Sequence, residues 1–350
     1  MPDLDKPIIR APDYSAGEWI NSAPLHIEAL RGRVVLTDIW DFTCINCIRS
    51  LPYLVEWHRR YAAHGLTIVG VHSPEFAFAK DRRQVEAAAQ RFGLDYPIVL
   101  DNDYETWTAY ANRYWPAHYL IDAKGYIRRS QFGEGGYREF EQAIQTLLRE
   151  RDPSVALPDP MPYVRPEDQP GAVCYRATPE LHTGFDRGAL GNSEGYPARG
   201  ATMFYREPQQ RTHGAFYAVG AWRAHIDHLA SAGEHSTLIL PYQAATVNAV
   251  MSPSGDAVEL LLSISDPHAA PLQPVDVLVT QNGRALDRLN AGADIFFDAE
   301  GRSHVRIDQP RMYNLVNHPD FGDFELRLTP NRPGFAIYAF TFTSCVQPNL

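Results

Sequence analysis

The sequence predicts an α/β domain, with a central mixed sheet flanked by helices, followed by an all-β sandwich. Apolar strand runs alternate with helical stripes through the first part of the chain. A proline-dense stretch then interrupts every regular pattern, and short runs of period two follow it.

Val34 to Trp40 is a continuous apolar run, the mark of a buried strand. Ile48, Leu51 and Val55 then recur at helical spacing, so a strand feeds a helix with Cys44 and Cys47 at the junction. Pro52 removes the helix hydrogen bond to the Ile48 carbonyl. Leu66 to His72 reads as a second strand, Ala79 to Phe92 as a helix, and Tyr96 to Leu100 as a third strand. A helix is expected from Tyr104 to Arg113. Ala117 to Asp122 and Tyr126 to Phe132 then flank the turn at Ala123, Lys124 and Gly125 as a hairpin. Phe140, Ile144, Leu147 and Leu148 mark a closing helix.

From Asp152 to Gly171 the prolines 153, 158, 160, 162, 166 and 170 exclude a helix or central strand. The expected division is therefore a redox domain over 1–152, a linker over 153–172 and a β domain over 173–350. In the last, Glu259 to Ser265, Val275 to Gln281, Val305 to Asp308, Phe324 to Thr329 and Ala336 to Phe342 read as strands, with Asn282-Gly283 as a hairpin turn.

The length of 350 residues and the 45% hydrophobic content suit two globular cores. A net charge of −10, spread along the chain, speaks against a nucleic-acid partner. Residues 1–12 carry Asp3, Asp5, Lys6 and Arg10 and lack the apolar core of a secretory signal, which gives cytoplasmic as the expected location. No run approaches the roughly 18 apolar residues of a membrane span, so a chain that does not cross a membrane is expected.

Of the four cysteines, Cys44 and Cys47 stand three apart. Disulfide exchange needs an attacking thiolate and a second thiol near enough to resolve the mixed disulfide, and this spacing at a helix start supplies both. An ordinary thiol, with a pKa of about 8.5, is mostly protonated at neutral pH, and a helix N-terminus favours the thiolate. Cys44 is placed to attack and Cys47, one turn in, to resolve. Asp38 lies inside the apolar strand, where an unpaired carboxylate is costly, and is a candidate acceptor for the Cys47 proton. Trp115-Pro116 precedes a strand and is a candidate cis peptide that would expose backbone to an extended substrate.

The run from Trp40 to Pro52, with Asp38 before it, resembles the thioredoxin-like domains of the TlpA and DipZ type. His72-Ser73-Pro74-Glu75, the run Tyr114 to Asp122, and Gly133-Glu134-Gly135 with Tyr137 resemble the DipZ group in particular. Arg311 to Leu315 and Ala336 to Phe342 are similar to the carbohydrate-binding-module-like β domain that follows it there. The resemblance implies a thiol-disulfide oxidoreductase, AhpC/TSA or redoxin in kind. Cys44 is then the nucleophile, Cys47 the resolving thiol, Asp38 the buried carboxyl and Pro116 the cis-proline. Trp40 and Glu75 would then lie near the redox pair, and with Trp115, expected to wall the substrate because Pro116 follows it, they are the expected substrate-binding residues. The redox-active disulfide takes the place of a cofactor, and the partners are protein thiols or disulfides. The family carries an electron-delivering membrane domain ahead of these two and this sequence shows none, so a separate electron donor protein is expected. The likeness also points outside the inner membrane.

Other readings compete. Zinc needs four ligands, and the remaining cysteines, Cys174 and Cys345, are isolated from the pair. A peroxiredoxin-like peroxidase would use the same Cys44 thiolate. Trp222 with Phe216 and Tyr217 would serve as a face on which a sugar stacks, though core residues of a sandwich show the same letters; a glycan- or partner-binding protein is the third alternative. Cys174 and Cys345 are expected as two buried thiols, with a structural disulfide as the alternative.

Overall fold

The computed structural model describes residues 4, 6–256, 259–260, 263 and 272–346. They form two compact units, Met1–Asp168 and Gln169–Leu350. In the first, the order is β1 (Trp19–Ile20), β2 (Val34–Trp40), α1 (Ile45–Tyr61), β3 (Leu66–His72), α2 (Arg82–Phe92), β4 (Ile98–Leu100), α3 (Glu105–Ala109), β5 (Ala117–Ile121), β6 (Ile127–Phe132) and α4 (Tyr137–Arg151). The sheet runs β1-β4-β3-β2-β5-β6. Strands β2, β3 and β4 are parallel, and β5 enters antiparallel to β2, making the mixed sheet. Every residue of β2 is buried, which is why its sequence reads as an unbroken apolar run rather than an alternation.

Three helices differ from expectation for local reasons. Helix α2 begins at Arg82 because the Asp81 carboxylate caps it, accepting from the Arg83 and Gln84 N–H groups. Helix α3 ends at Ala109, ahead of Ala111 with its positive φ of 50°. In α1 the buried face is Cys47, Ser50, Leu51, Leu54 and Trp57, whereas Ile48 and Val55 are only half-buried. Trp57 stacks on Phe140 and Tyr53 on Tyr137, so α1 and α4 share a packed seam.

The proline-dense stretch is not a free linker along its whole length. Its residues through Asp168 belong to the first unit. The Met161 N–H donates to both oxygens of the buried Glu141, Gln145 donates to the Pro158 carbonyl, and the Val164 N–H donates to Tyr53 Oη. Proline withdraws N–H donors from the strap, and the few that remain are placed on polar groups of α1 and α4.

The second unit holds an 11-stranded sheet built around two long antiparallel partners, Thr237–Ser252 and Arg311–Pro330. Val275–Gln281, Ser303–Ile307 and Ala336–Thr343 fall where strands were expected. Asn282 and Gly283 both take positive φ and connect Gln281 to its register partner Arg284, as the hairpin signal requires. The strand expected over Glu259 to Ser265 is corrected: Glu259, Leu260 and Ser263 are helical, and the rest of that run lies outside the described residues.

Phe216, Trp222, Tyr242, Tyr313 and Phe340 pack in one buried cluster of this unit. Trp222 and Phe216 are 0% exposed and Tyr217 is 3% exposed, so of the two readings of these aromatics, sugar face or sandwich core, the structure shows the core. The expectation of two buried thiols is also overturned. Val173–Cys174 pairs with Cys345–Val346 in a separate ribbon, Cys174 directly opposite Cys345, and the two sulfurs are joined in a disulfide. Cysteines in adjacent strands at opposed positions have their Cβ atoms within bridging reach, and nothing in the sequence spacing reveals this.

Candidate active site

Asp41 builds the loop between β2 and α1. Its buried carboxylate accepts from the Thr43 N–H at 2.6 Å, from the Thr43 hydroxyl at 2.8 Å and from the Glu75 N–H after β3. Its own carbonyl accepts from the Cys44 N–H. One side chain thus pins both segments that leave the C-terminal ends of β2 and β3. Burial pushes the Asp41 carboxyl up, against the pull of these donors.

Cys44 is the residue that caps α1. It has an extended backbone, with φ of −85° and ψ of 115°, and its Sγ accepts from the Cys47 N–H at 3.3 Å. Cys44 is partly exposed, Cys47 is 0% exposed, and both are free thiols. Burial pushes the Cys47 thiol well up, and the hydrogen bond and charge of Cys44 add to this. The two sulfurs therefore have opposite surroundings: one at the surface with a backbone donor, one sealed in the core.

Asp38 is 0% exposed, and neither its two oxygens nor His118 Nε2 has a hydrogen-bond partner. The polar atom facing it is His118 Nε2, 3.2 Å from Oδ1, on the register partner across β5. Pro116 follows a cis peptide bond from Trp115 and is buried. Ile39 pairs with Ala117, so Pro116 lies at the end of β2 from which the cysteine loop departs. The Pro116 carbonyl accepts from the Gly133 N–H at 2.8 Å, and Glu134 pairs with Arg49, two residues past Cys47, at 3.0 Å. These links gather the start of α1, the start of β5 and the turn after β6 at one end of the sheet.

The remaining expected residues divide. Trp40 is 0% exposed and packs edge-on against His72, so it is a core residue and not a wall for substrate. Trp115 is half-buried, donates from Nε1 to the Ser73 carbonyl and leans on Trp107 with ring centroids 4.3 Å apart. Glu75 is half-buried and its backbone contributes to the Asp41 cradle. Tyr114 and Phe132, 57% and 52% exposed with rings 5.8 Å apart, form an aromatic pair beside Pro116.

Comparison with known proteins divides the chain at a similar place. Residues 9–130 match the AhpC/TSA family, and residues 178–343 match the thioredoxin like C-terminal domain. Protein DipZ of Mycobacterium tuberculosis is 38% identical over 240 residues, which is 68% of this chain and 34% of that protein. The chain is a thioredoxin-like protein of the TlpA/DipZ type.

This TlpA/DipZ-type chain spans about a third of the length of the DipZ proteins it matches. The thiol-disulfide oxidoreductase YkuV of Bacillus subtilis is 26% identical over 134 residues, 38% of this chain and 90% of that one. Among solved structures, a thiol-disulfide isomerase from Corynebacterium glutamicum is similar at 27% identity, with a TM-score of 0.37, over 39% of this chain and 96% of that one. Sequence reading of the TlpA/DipZ-type chain missed Asp41 and His118. Asp41 lay inside the motif, three residues before Cys44, where a short acid before a helix start signals a cap or turn. His118 reaches Asp38 only through strand register, which no local pattern encodes.

Proposed function

We propose that the protein is a thiol-disulfide oxidoreductase that reduces disulfides in protein partners. The unlike surroundings of Cys44 and Cys47 carry this reading: the reachable sulfur is the one offered a backbone N–H, and burial keeps the other protonated. Cys44 attacks one sulfur of the partner disulfide, the partner S–S bond breaks, and one partner thiolate leaves. Cys47 then loses its proton and attacks Cys44 Sγ, forming the Cys44–Cys47 disulfide and releasing the second partner thiolate. Two electrons pass to the partner, and a separate electron donor protein restores the dithiol. Asp38 takes the Cys47 proton. Pro116 and Trp115, with the exposed Tyr114 and Phe132, form the surface on which the partner chain lies. The Cys174–Cys345 disulfide supports an oxidising compartment and speaks against the cytoplasm.

Insulin reduction with a dithiol donor tests the activity, and a parallel incubation with peroxide tests the peroxidase alternative. Cys47→Ser is expected to accumulate a covalent Cys44–partner complex on a non-reducing gel. Rapid peroxide consumption without insulin reduction would refute the reading.

A further inference from the structure

Asp38 faces groups from β3, from the segment ahead of β4, from α1 and from β5. On β3 its register partner is Gly70, where a Cβ would come within 3.0 Å of Trp40 Nε1, so that side supplies no charge. Ahead of β4 stands Tyr96, fully buried with an unpartnered hydroxyl, its phenol pushed up by burial and by the Asp38 charge. From α1 comes Cys47, which the Asp38 charge also disfavours as a thiolate. From β5 comes His118, 2% exposed and 3.2 Å away. Its ring packs on Phe140 of α4, and the Arg129 guanidinium of β6 lies over that same ring. The imidazole is therefore the one group touching Asp38, among the described residues, that is able to offset a carboxylate's charge.

On the thiol-exchange reading above, we propose that His118 is a positioning residue whose protonated ring pairs with the Asp38 carboxylate across 3.2 Å and so keeps the carboxylate ready to accept the Cys47 proton during release of the partner. With one proton between them the pair is neutral overall, the state a dry pocket favours. When Asp38 takes the proton, the Cys47 S–H bond breaks and an Asp38 O–H bond forms. The new thiolate then faces a pair carrying one positive charge, so the pocket stays neutral. The thiolate's electron pair makes the Cys47–Cys44 bond as the Cys44–partner bond breaks, and the partner leaves as a thiolate that draws the proton back out. Without His118 the same step leaves one uncompensated negative charge buried before and after transfer. A buried negative charge with no compensating partner is costly, so the step is expected to need a higher pH in such a variant.

The test uses the full reduced chain and an aromatic disulfide whose thiolate is coloured, followed by stopped flow across a pH series. The first release reports attack by Cys44 and the second reports resolution by Cys47. His118→Phe and His118→Gln are expected to leave the first release unchanged, to slow the second about tenfold at neutral pH, and to move its pH midpoint up by about one to two units. In an Asp38→Asn background the His118 substitutions are expected to add nothing. The glutamine variant keeps a polar group in the pocket, so it decides the matter if the phenylalanine variant does not fold. A parent-like second release in His118→Gln would overturn the proposal, as would a slowed release with an unmoved midpoint, since a spacer or packing role predicts either. A parent that shows no coloured release at all would overturn the thiol-exchange reading itself.

Discussion

The two cysteine pairs of this chain are built on opposite plans. Cys44 and Cys47 stand three apart across a strand-to-helix junction, one partly exposed and one sealed, and both are free. Cys174 and Cys345 are 171 residues apart, face each other across a two-stranded ribbon and are joined. On the proposed function, the difference teaches that reach alone does not make a redox centre. The second pair is at the surface too, yet it sits in a ribbon that staples the ends of the second unit. The first pair differs in its asymmetry, with a donor on one sulfur, burial on the other and a carboxylate beside the buried one.

The largest effect should separate the pairs outright. Cys44→Ser is expected to lower insulin reduction by roughly 1,000-fold or more, because it removes the atom that forms the bond. Replacing Cys174 and Cys345 together by alanine is expected to leave that rate within about twofold.

Acid sensitivity comes next and marks both units. His72, 0% exposed and stacked on Phe42, is held neutral by burial down to about 3. The unfolded chain takes up this proton near 6.5, so between about 6.5 and 3 it binds more protons than the native state, and stability falls as pH drops through that window. The whole span is worth on the order of 5 kcal/mol. In the second unit His225, stacked on His228, is lowered to about 4 in the same sense. His72→Phe should flatten the acid limb of the first unit's urea midpoint and leave the second unit's unchanged.

A smaller effect tests the staple. Removing the Cys174–Cys345 disulfide is expected to cost the second unit about 2–4 kcal/mol, read as a lower urea midpoint, with the first unit's transition unmoved. The smallest concerns the loop that presents Cys44. Asp41→Ala strands the Thr43 and Glu75 donors and is expected to cost the first unit about 1–3 kcal/mol while evening out the alkylation rates of Cys44 and Cys47.

The same contrast explains what the sequence made legible. The placement of Cys44, Cys47 and Asp38 was readable because it depends on a single junction, where spacing along the chain is also spacing in space. The β2 strand was readable because a strand buried on both faces leaves an unbroken apolar run. His118 and the Cys174–Cys345 pair were not, since each depends on which strands become neighbours and in what register. Trp40 misled, and Trp222 stayed open, for a related reason: an aromatic letter reports area available for burial, and only the fold decides whether a ring faces a partner or the core. The proline-dense strap looked like a spacer because its anchoring polar groups, Tyr53 and Glu141, lie on helices elsewhere in the chain.

The account rests on Cys44 being the thiol that meets the partner while Cys47 waits behind it. Limiting iodoacetamide on the reduced native chain at neutral pH, with the labelled peptides resolved by mass, measures this directly. The expected result is label on Cys44 long before Cys47, with Cys47 catching up only in denaturant. Label appearing on Cys47 as fast as on Cys44 in the native chain would contradict it.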